Sequence, residues 1–536
     1  MALFSLVIPT LRRPDTLQHS LATLLRQPRS DVEIVVQNNG ADDATRRLVE
    51  RIGDERVRHY SSDRVLAMCE NWERALDSCS GDWIIFIGDD DGLLPDACDT
   101  MSTLDGLNGY EIVTWRPFLY LWPQYGDARR RNRIEAEVDS AFRLRSVSSD
   151  DFLARFYRFE AHYSSLPMIY HSFVRRSLIE RVRAEHGRYF VGSLADVTSG
   201  IINLSASKAF VRSSRPLSIS GISHHSTGHN GWNRPGASLN QDDLERDFPL
   251  LRGDNVRFPV WNFELAIANE MQLLQDEILG RDNRFALDER RLVRNVADAM
   301  NQRPECYDET LALLRSMIDR FGIRAGDVRI PPKADQSPVV PVGEYQLSQT
   351  KSRLVIDGDE SGVANIDDAA QLSALLLPTP DTAAWDQDSQ AFPILSSEPL
   401  SFAADANGED ALVEGWSESE LWGTWAIGHM SRIRFALAEP GRCGRLELNY
   451  RVIAADSVGP LLVQCASNGK VLDRWRLGPE NHRGQLTIEL PPEAAHQHRH
   501  LELTFTTTNP RSPAELGLGP DTRQLGIGVE ELRVIP

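Results

Sequence analysis

The chain has 536 residues, enough for roughly three or four domains rather than one core. Its 41% hydrophobic and 25% charged content is that of a folded globular protein and excludes a fibrous or disordered class. A formal charge of −19 argues against nucleic acid as a partner, since such binding needs a basic surface to displace counterions.

The first hundred residues alternate strand and helix signals, the pattern of a parallel sheet with crossover helices. Phe4 to Ile8 reads as a strand, and Pro14-Asp15 opens a helix carrying Leu17, Leu21, Leu24 and Leu25. Val32 to Val36 is the second strand, and Asp42 can cap the helix after Asn38-Asn39-Gly40. A short strand follows at Val57 to Tyr60, then a helix at Met68 to Leu76. The strand Trp83 to Ile87 runs directly into Asp89, Asp90 and Asp91. Loops at the carboxyl ends of such strands line the ligand crevice of an open α/β sheet, which places Thr10, Asn38, Asn39 and the three aspartates together.

Three adjacent carboxylates raise one another's pKa unless a positive charge lies among them. Oxygen-only ligands on a short turn suit Mg²⁺ or Mn²⁺, ions that complete their shells with water and phosphate oxygens. The triplet therefore points to a metal carrying a diphosphate.

Residues 100 to about 230 mix strands and helices, with a strand at Glu111 to Arg116 and an aromatic stretch including Trp115. The arginine run Arg129 to Arg133 reads as a solvated loop, with an anionic acceptor or a membrane surface as the other reading. From 235 to 325 the pattern is helical, with Ile267, Met271, Leu274 and Ile278 on one face and Leu311, Leu313, Leu314 and Met317 later. Residues 331–345 are proline-rich. Beyond 390 come short alternating strands, with a hairpin signalled at Asn468-Gly469. The expected division is 1–230, 231–330, 331–389 (linker and short connecting elements) and 390–536.

The six cysteines form no CxxC pair, so neither a disulfide framework nor a zinc site is indicated. No apolar run approaches the ~18 residues of a membrane span, and the start lacks a signal-peptide pattern. A cytoplasmic location is the expectation.

Val7-Ile8-Pro9-Thr10, then EIVVQNNGADD, then Asn71, then IFIGDDDGLLP make the first 230 residues resemble family 2 glycosyltransferases of the GT-A fold. The resemblance implies a Rossmann-like α/β N-terminal domain, followed here by a helical middle region and an all-β sandwich at the C-terminus. It implies an inverting transfer of a sugar from a nucleotide-diphosphate donor to a hydroxyl, with Mn²⁺ or Mg²⁺. Counting back from Pro95, it makes Asp90 the metal ligand, with Asp89 toward the ribose or metal and Asp91 at the turn or a metal-bound water. Thr10, Arg12, Asn38, Asn39 and Asn71 fall at nucleotide-sugar positions. The asparagines stand where the family usually carries an aspartate that reads the base, and an amide donates as well as accepts. Leu11-Arg12 replaces the usual aromatic-asparagine pair, and one of Arg12 and Arg13 is placed to meet a phosphate.

In YFVGSLADVTSG, Asp196 falls where the family places its general base; the other reading is a helix cap. His224, His225 and His229 cluster in a Gly- and Ser-rich stretch where such a domain closes over its donor, His225 being taken as a further metal ligand. Asp242 and Asp243 are weaker base candidates. The C-terminal stretch resembles a β-sandwich module appended to bacterial polysaccharide glycosyltransferases. Trp115, Trp416 and Trp422 offer faces to sugars, with core packing as the competing role. The implied partners are a nucleotide sugar and a glycan or lipid-linked glycan acceptor, in cell-surface polysaccharide or O-antigen assembly. Peripheral contact with the inner membrane or other glycosyltransferases, and an oligomer, are compatible. Two rival classes remain: a carbohydrate-binding scaffold with a degenerate transferase domain, and a nucleotidyltransferase. The second would need a glycine-rich basic loop after the first strand, where Pro9 to Arg13 has no glycine.

Overall fold

A computed structural model describes residues 3–104, 109–139, 142–224, 226, 257–259, 262–280, 285–324, 326, 328–346, 351–377, 384–385, 394–396 and most of 399–535. The chain forms two compact units, one of residues 1–344 and 353–386, the other of 345–352 and 387–536.

The first unit opens with β1 (Phe4–Thr10), α1 (Pro14–Leu25), β2 (Val32–Asn38), α2 (Asp43–Ile52), β3 (Val57–Ser61), α3 (Met68–Asp77) and β4 (Trp83–Phe86). β1 lies between β2 and β4 and is parallel to both, and β3 continues the parallel set beyond β2. β1 and β2 are apolar on consecutive residues because helices cover both faces of the sheet. Phe4, Leu6 and Ile8 enter the core under α1, while Val7 enters the core that holds Trp72 of α3. Thr10 pairs with Asn38, and Asn38 with Ser61, so three strand ends finish level.

Beyond β4 the chain passes through β5 (Gly92–Leu93), α4 (Ala97–Leu104), β6 (Ile112–Trp115), β7 (Phe118–Leu121), β8 (Arg133–Asp139), β9 (Arg143–Ser148) and α5 (Ser149–Tyr157). It then forms β10 (Ser172–Arg175), α6 (Arg176–His186), α7 (Ala195–Ala206), β11 (Ala209–Ser213) and β12 (Ser218–Ile222). The first sheet runs β9-β11-β6-β10-β4-β1-β2-β3, with β10 antiparallel to β4 and β6. A second sheet runs β8-β7-β12-β5. The aspartate triplet thus lies where the chain leaves β4 of one sheet for β5 of the other.

Helices Phe263–Leu274, Glu289–Ala299 and Tyr307–Arg320 follow, as the apolar periodicity requires. Ile267, Met271 and Leu274 are buried together with α7 residues, and Leu292, Val296, Leu314 and Met317 form a separate cluster. Residues 331–389 differ from the expected connector. Lys351–Asp357 is a strand of the second sheet, and Ile366–Leu375 is a helix whose Ile366, Ala369 and Ala370 share a core with Phe118, Tyr120 and Ile219. Arg26 of α1 holds Asp367 through two hydrogen bonds of 2.6 and 2.7 Å. The proline-rich stretch before them hides this return in the sequence.

In the second unit, strands Met430–Leu437, His500–Thr507, Leu461–Ser467 and Lys470–Leu477 form one antiparallel sheet, and Leu525–Ile535, Arg445–Arg451 and Arg483–Glu489 lead another. Ile433, Phe435 and Leu503 of the first and Leu446, Leu448 and Ile527 of the second share one core, the expected sandwich. The hairpin strands 461–467 and 470–477 pair, while Asn468-Gly469 lie outside the described residues. Among the described residues, no helix is long and apolar enough to cross a membrane.

Candidate active site

The three aspartates are all buried, at 3%, 5% and 0% exposure, yet their surroundings differ. Asp89 accepts a 2.7 Å hydrogen bond from the Thr10 hydroxyl at the end of β1 and pairs at 3.2 Å with Arg13 at the start of α1. Asp91 is spent on the fold: Oδ2 accepts from the Gly88 N–H at 2.7 Å and from the Tyr170 hydroxyl, and Oδ1 from the Gly221 N–H at 2.6 Å. His171 Nε2 stands 3.3 Å from Asp91 Oδ2. Burial pushes the Asp91 carboxyl up, but His171, Tyr170 and the Gly221 N–H outweigh it and hold the group below the usual carboxylate range.

Asp90 is the exception. Its contacts fall on Oδ2, from the Ser223 hydroxyl at 2.6 Å, the Ser223 N–H at 3.2 Å and the Ser226 hydroxyl. Of the three, it alone has no ion-pair partner among the described residues. Burial, followed by the charges of Asp91 and Asp89, raises its carboxyl to about 7. Its backbone oxygen accepts from Trp122 Nε1 at 3.0 Å, and a side chain at Gly221 would put Cβ 1.8 Å from that same oxygen. Residue 221 therefore has to be glycine for β12 to close over the triplet.

The segment leading into β10 holds this turn from behind. His171 has φ +61°, a conformation most residues avoid. Its Nδ1 lies 2.8 Å from the Ser218 hydroxyl, which also accepts from Trp115 Nε1 at 2.7 Å. The Tyr170 ring stacks on Trp72 of α3 with centroids 5.9 Å apart.

Asp196 is the second residue of α7, whose cap position is Leu194, with no side-chain cap from Leu194 itself. Its Oδ1 accepts from the Val197 N–H at 2.9 Å. Burial raises the Asp196 carboxyl, and the Val197 N–H and the neighbouring His171 pull it part of the way back. The Ser199 hydroxyl donates to the Asp196 carbonyl at 2.7 Å and accepts from the Ile169 N–H at 3.2 Å. The start of α7 is thereby tied to the strand entry that bears Tyr170 and His171, and burial, followed by the charges of Asp91, Asp90 and Asp196, raises the Tyr170 hydroxyl's pKa.

Other sequence-selected residues are placed differently. The Asn39 amide donates to the Leu66 carbonyl at 3.0 Å and accepts from the Leu66 N–H at 2.8 Å. Asn38 makes the same kind of pair with the backbone of Asp42, at 2.9 and 3.2 Å. Both amides clamp loops at the strand ends, where their donors and acceptors serve the backbone. Arg12 is exposed with φ +57°, and it is Arg13 that enters the site. Asn71 is 3% exposed, and its Oδ1 has no hydrogen-bond partner among the described residues. Trp115 is buried against Phe173 and donates to the Ser218 hydroxyl, the core-packing role set against a sugar contact. Trp416 packs on the sandwich core and donates to the Arg432 carbonyl at 2.7 Å. One face of Trp422 is covered by the Arg451 guanidinium at 3.6 Å and an edge contact with Trp425 adds to it, leaving less ring for a ligand than expected. His224 is exposed, whereas His225, His229, Asp242 and Asp243 lie outside the described residues.

Sequence reasoning missed Tyr170, His171, Ser223 and Ser226. Only the serines had a signal, in SGISHHSTG, where the histidines drew the attention.

Asp89 and Asp90 are buried oxygen donors of the kind a hard divalent cation takes, Asp90 being raised first by burial and then by its neighbours' charge, while among the described residues no group of three or more His, Cys, Asp or Glu side chains is placed to hold a metal ion. Asp90 is the residue with charge to offer it, and Asp89 the nearest second.

A family model, Glycosyl transferase family 2, matches residues 5–165. The GalNAc(5)-diNAcBac-PP-undecaprenol beta-1,3-glucosyltransferase of Campylobacter jejuni is 28% identical over 104 residues, 19% of this chain and 34% of the relative. The PGL/p-HBAD biosynthesis glycosyltransferase of Mycobacterium bovis is 30% identical over 111 residues, 20% of this chain and 42% of the relative. The chain therefore spans well under half the length of either. Residues 1–349 of S. aureus TarS, solved with UDP-GlcNAc, are 14% identical, covering 63% of this chain and 98% of that one with a TM-score of 0.35. The matched segment runs from β1 through α5, with Thr10, Arg13 and all three aspartates inside it, so that over residues 5–165 the chain is similar to glycosyl transferase family 2.

Proposed function

We propose that the chain is an inverting, metal-dependent glycosyltransferase that moves a sugar from a nucleoside diphosphate to a hydroxyl of a glycan or lipid-linked glycan acceptor during cell-surface glycan assembly. The observation that carries the reading is the division of labour in the triplet: Asp89 is matched by Arg13 and Asp91 by His171, while Asp90 is left buried, without an ion-pair partner among the described residues, at the mouth of the sheet. Asp90 would hold Mn²⁺ or Mg²⁺, with Asp89 beside it; the bound ion neutralises charge on the departing diphosphate. The Thr10 and Arg13 contacts fix Asp89, and the Asp91 network fixes the turn, so that the carboxylates need no rearrangement when donor arrives.

Asp196 would accept the acceptor hydroxyl's proton. Its raised carboxyl suits that task, because a base is most effective when its pKa approaches the working pH. Base recognition falls to the orphaned Asn71 oxygen, an acceptor for a ring N–H, rather than to Asn38 or Asn39. A relative named for an undecaprenol-linked substrate supports a lipid-linked acceptor class. The reading is tested by incubating the purified chain with UDP-, GDP- and dTDP-sugars, with Mn²⁺ or with EDTA, and measuring nucleoside diphosphate release. Release from one nucleotide class, abolished by EDTA, supports it; no metal-dependent release or binding from any class overturns it.

A further inference from the structure

The first four N–H groups of a helix need partners from outside it, and a leucine at the cap position supplies none. Inside the first turn of α7 the Val197 N–H is taken by Asp196 itself, and for the two residues that lead into the helix the partner comes from the helix Phe263–Leu274, beyond the residues the family model matches. Glu270, fully buried, accepts through Oε1 from the N–H groups of Ser193 at 2.9 Å and Leu194 at 3.0 Å. The chain is shaped to admit it. Gly192 has φ +87°, and a Cβ there would lie 2.1 Å from Glu270 Oε2, so any side chain would expel the carboxylate. Oε2 is buried with no hydrogen-bond partner among the described residues, an expensive arrangement for a glutamate that serves only packing. Asp196 follows Leu194 by two residues, within the turn that Glu270 fixes.

We propose that Glu270 is a positioning residue for Asp196: it holds the N–H groups of Ser193 and Leu194, the two residues leading into α7, and so sets where the base carboxylate stands relative to the aspartate triplet. The inference rests on the reading of Asp196 as the base. Burial and the charge of Asp196 raise the Glu270 carboxyl to about 7, so the two acids repel at one helix start, and Glu270 is the more basic for its neighbour's presence. Removal of this anchor would free the entry to α7 and shift its first turn, and a displacement of even ~1 Å at a reacting group can cost about 10²-fold in rate.

The test compares Glu270→Ala, Glu270→Gln and Gly192→Ala. Each is assayed for nucleoside diphosphate release from the sugar nucleotide that wild type turns over, and for amide hydrogen exchange over residues 193–198. The glutamine side chain keeps an accepting oxygen, so Glu270→Gln is expected to retain kcat within about tenfold, whereas Glu270→Ala and Gly192→Ala lose about 10²-fold in kcat with donor KM little changed. Exchange at 193–198 should rise in those two variants alone. Wild-type kcat in Glu270→Ala overturns the proposal. So does an equal loss in Glu270→Ala and Glu270→Gln accompanied by a matching rise in donor KM, which marks a merely structural role. Asp196→Asn separates the two readings: full turnover in that variant removes the base assignment itself, whatever exchange shows at α7.

Discussion

Replacing Asp90 by asparagine should make the metal-free protein more stable, which is an unusual direction for a buried active-site change. The carboxyl's affinity for its proton rises from an ordinary value of 3.8 to about 7 in the fold. Between those pH values the folded chain holds a proton that the unfolded chain has released. Stability therefore falls as pH climbs through that window, and the full cost is present above 7. At about 1.4 kcal/mol for each tenfold in proton affinity, the cost is about 4 kcal/mol. The asparagine side chain keeps an oxygen for Ser223 and Ser226 and removes the charge that Asp89 and Asp91 repel. Thermal unfolding in EDTA should show no difference between Asp90→Asn and wild type at pH 4. At pH 8 the variant's first transition should lie higher, by several degrees at roughly 1–2 °C per kcal/mol for a unit of this size. Added Mn²⁺ should then raise the wild-type transition and leave the variant unmoved. A variant that melts lower than wild type at pH 8, or whose offset is the same at both pH values, would refute the electrostatic account of the triplet.

Asp91→Asn should behave oppositely, losing about 3–5 kcal/mol at neutral pH because it strips the partner from buried His171 and mismatches an amide against the Gly88 and Gly221 N–H groups; denaturant unfolding measures it. Asp196→Asn should lower transfer about 10²- to 10⁴-fold with donor affinity by calorimetry near that of wild type. Asn39→Ala should raise proteolysis near Leu66 and donor KM together, since the amide that clamps that loop is gone, with kcat changed far less.

The parallel strands were legible because β1, β2 and β4 are short apolar runs closed by turn residues, and the aspartates follow β4 closely. The unequal roles within the triplet were not legible. They depend on Arg13 from α1, His171 from before β10 and Gly221 from β12, residues 76 to 130 positions away from their aspartates in one direction or the other. Tyr170 and His171 carry no local signal, since their work is done through a left-handed backbone turn and a cross-sheet contact. The backbone contacts of Asn38 and Asn39 were not legible for the opposite reason: polar residues at a strand end suggest a ligand, while the nearest unsatisfied groups are the backbone of Asp42 and Leu66. The return of residues 353–375 into the first unit was hidden by distance, Arg26 and Asp367 being 341 residues apart.

The most direct measurement is isothermal titration of Mn²⁺ together with a UDP- or GDP-sugar into wild type and Asp90→Ala. The account predicts that one nucleotide class binds wild type only when Mn²⁺ is present, and that Asp90→Ala loses this metal-dependent binding while retaining its fold. Equal, metal-independent binding by both proteins would contradict it.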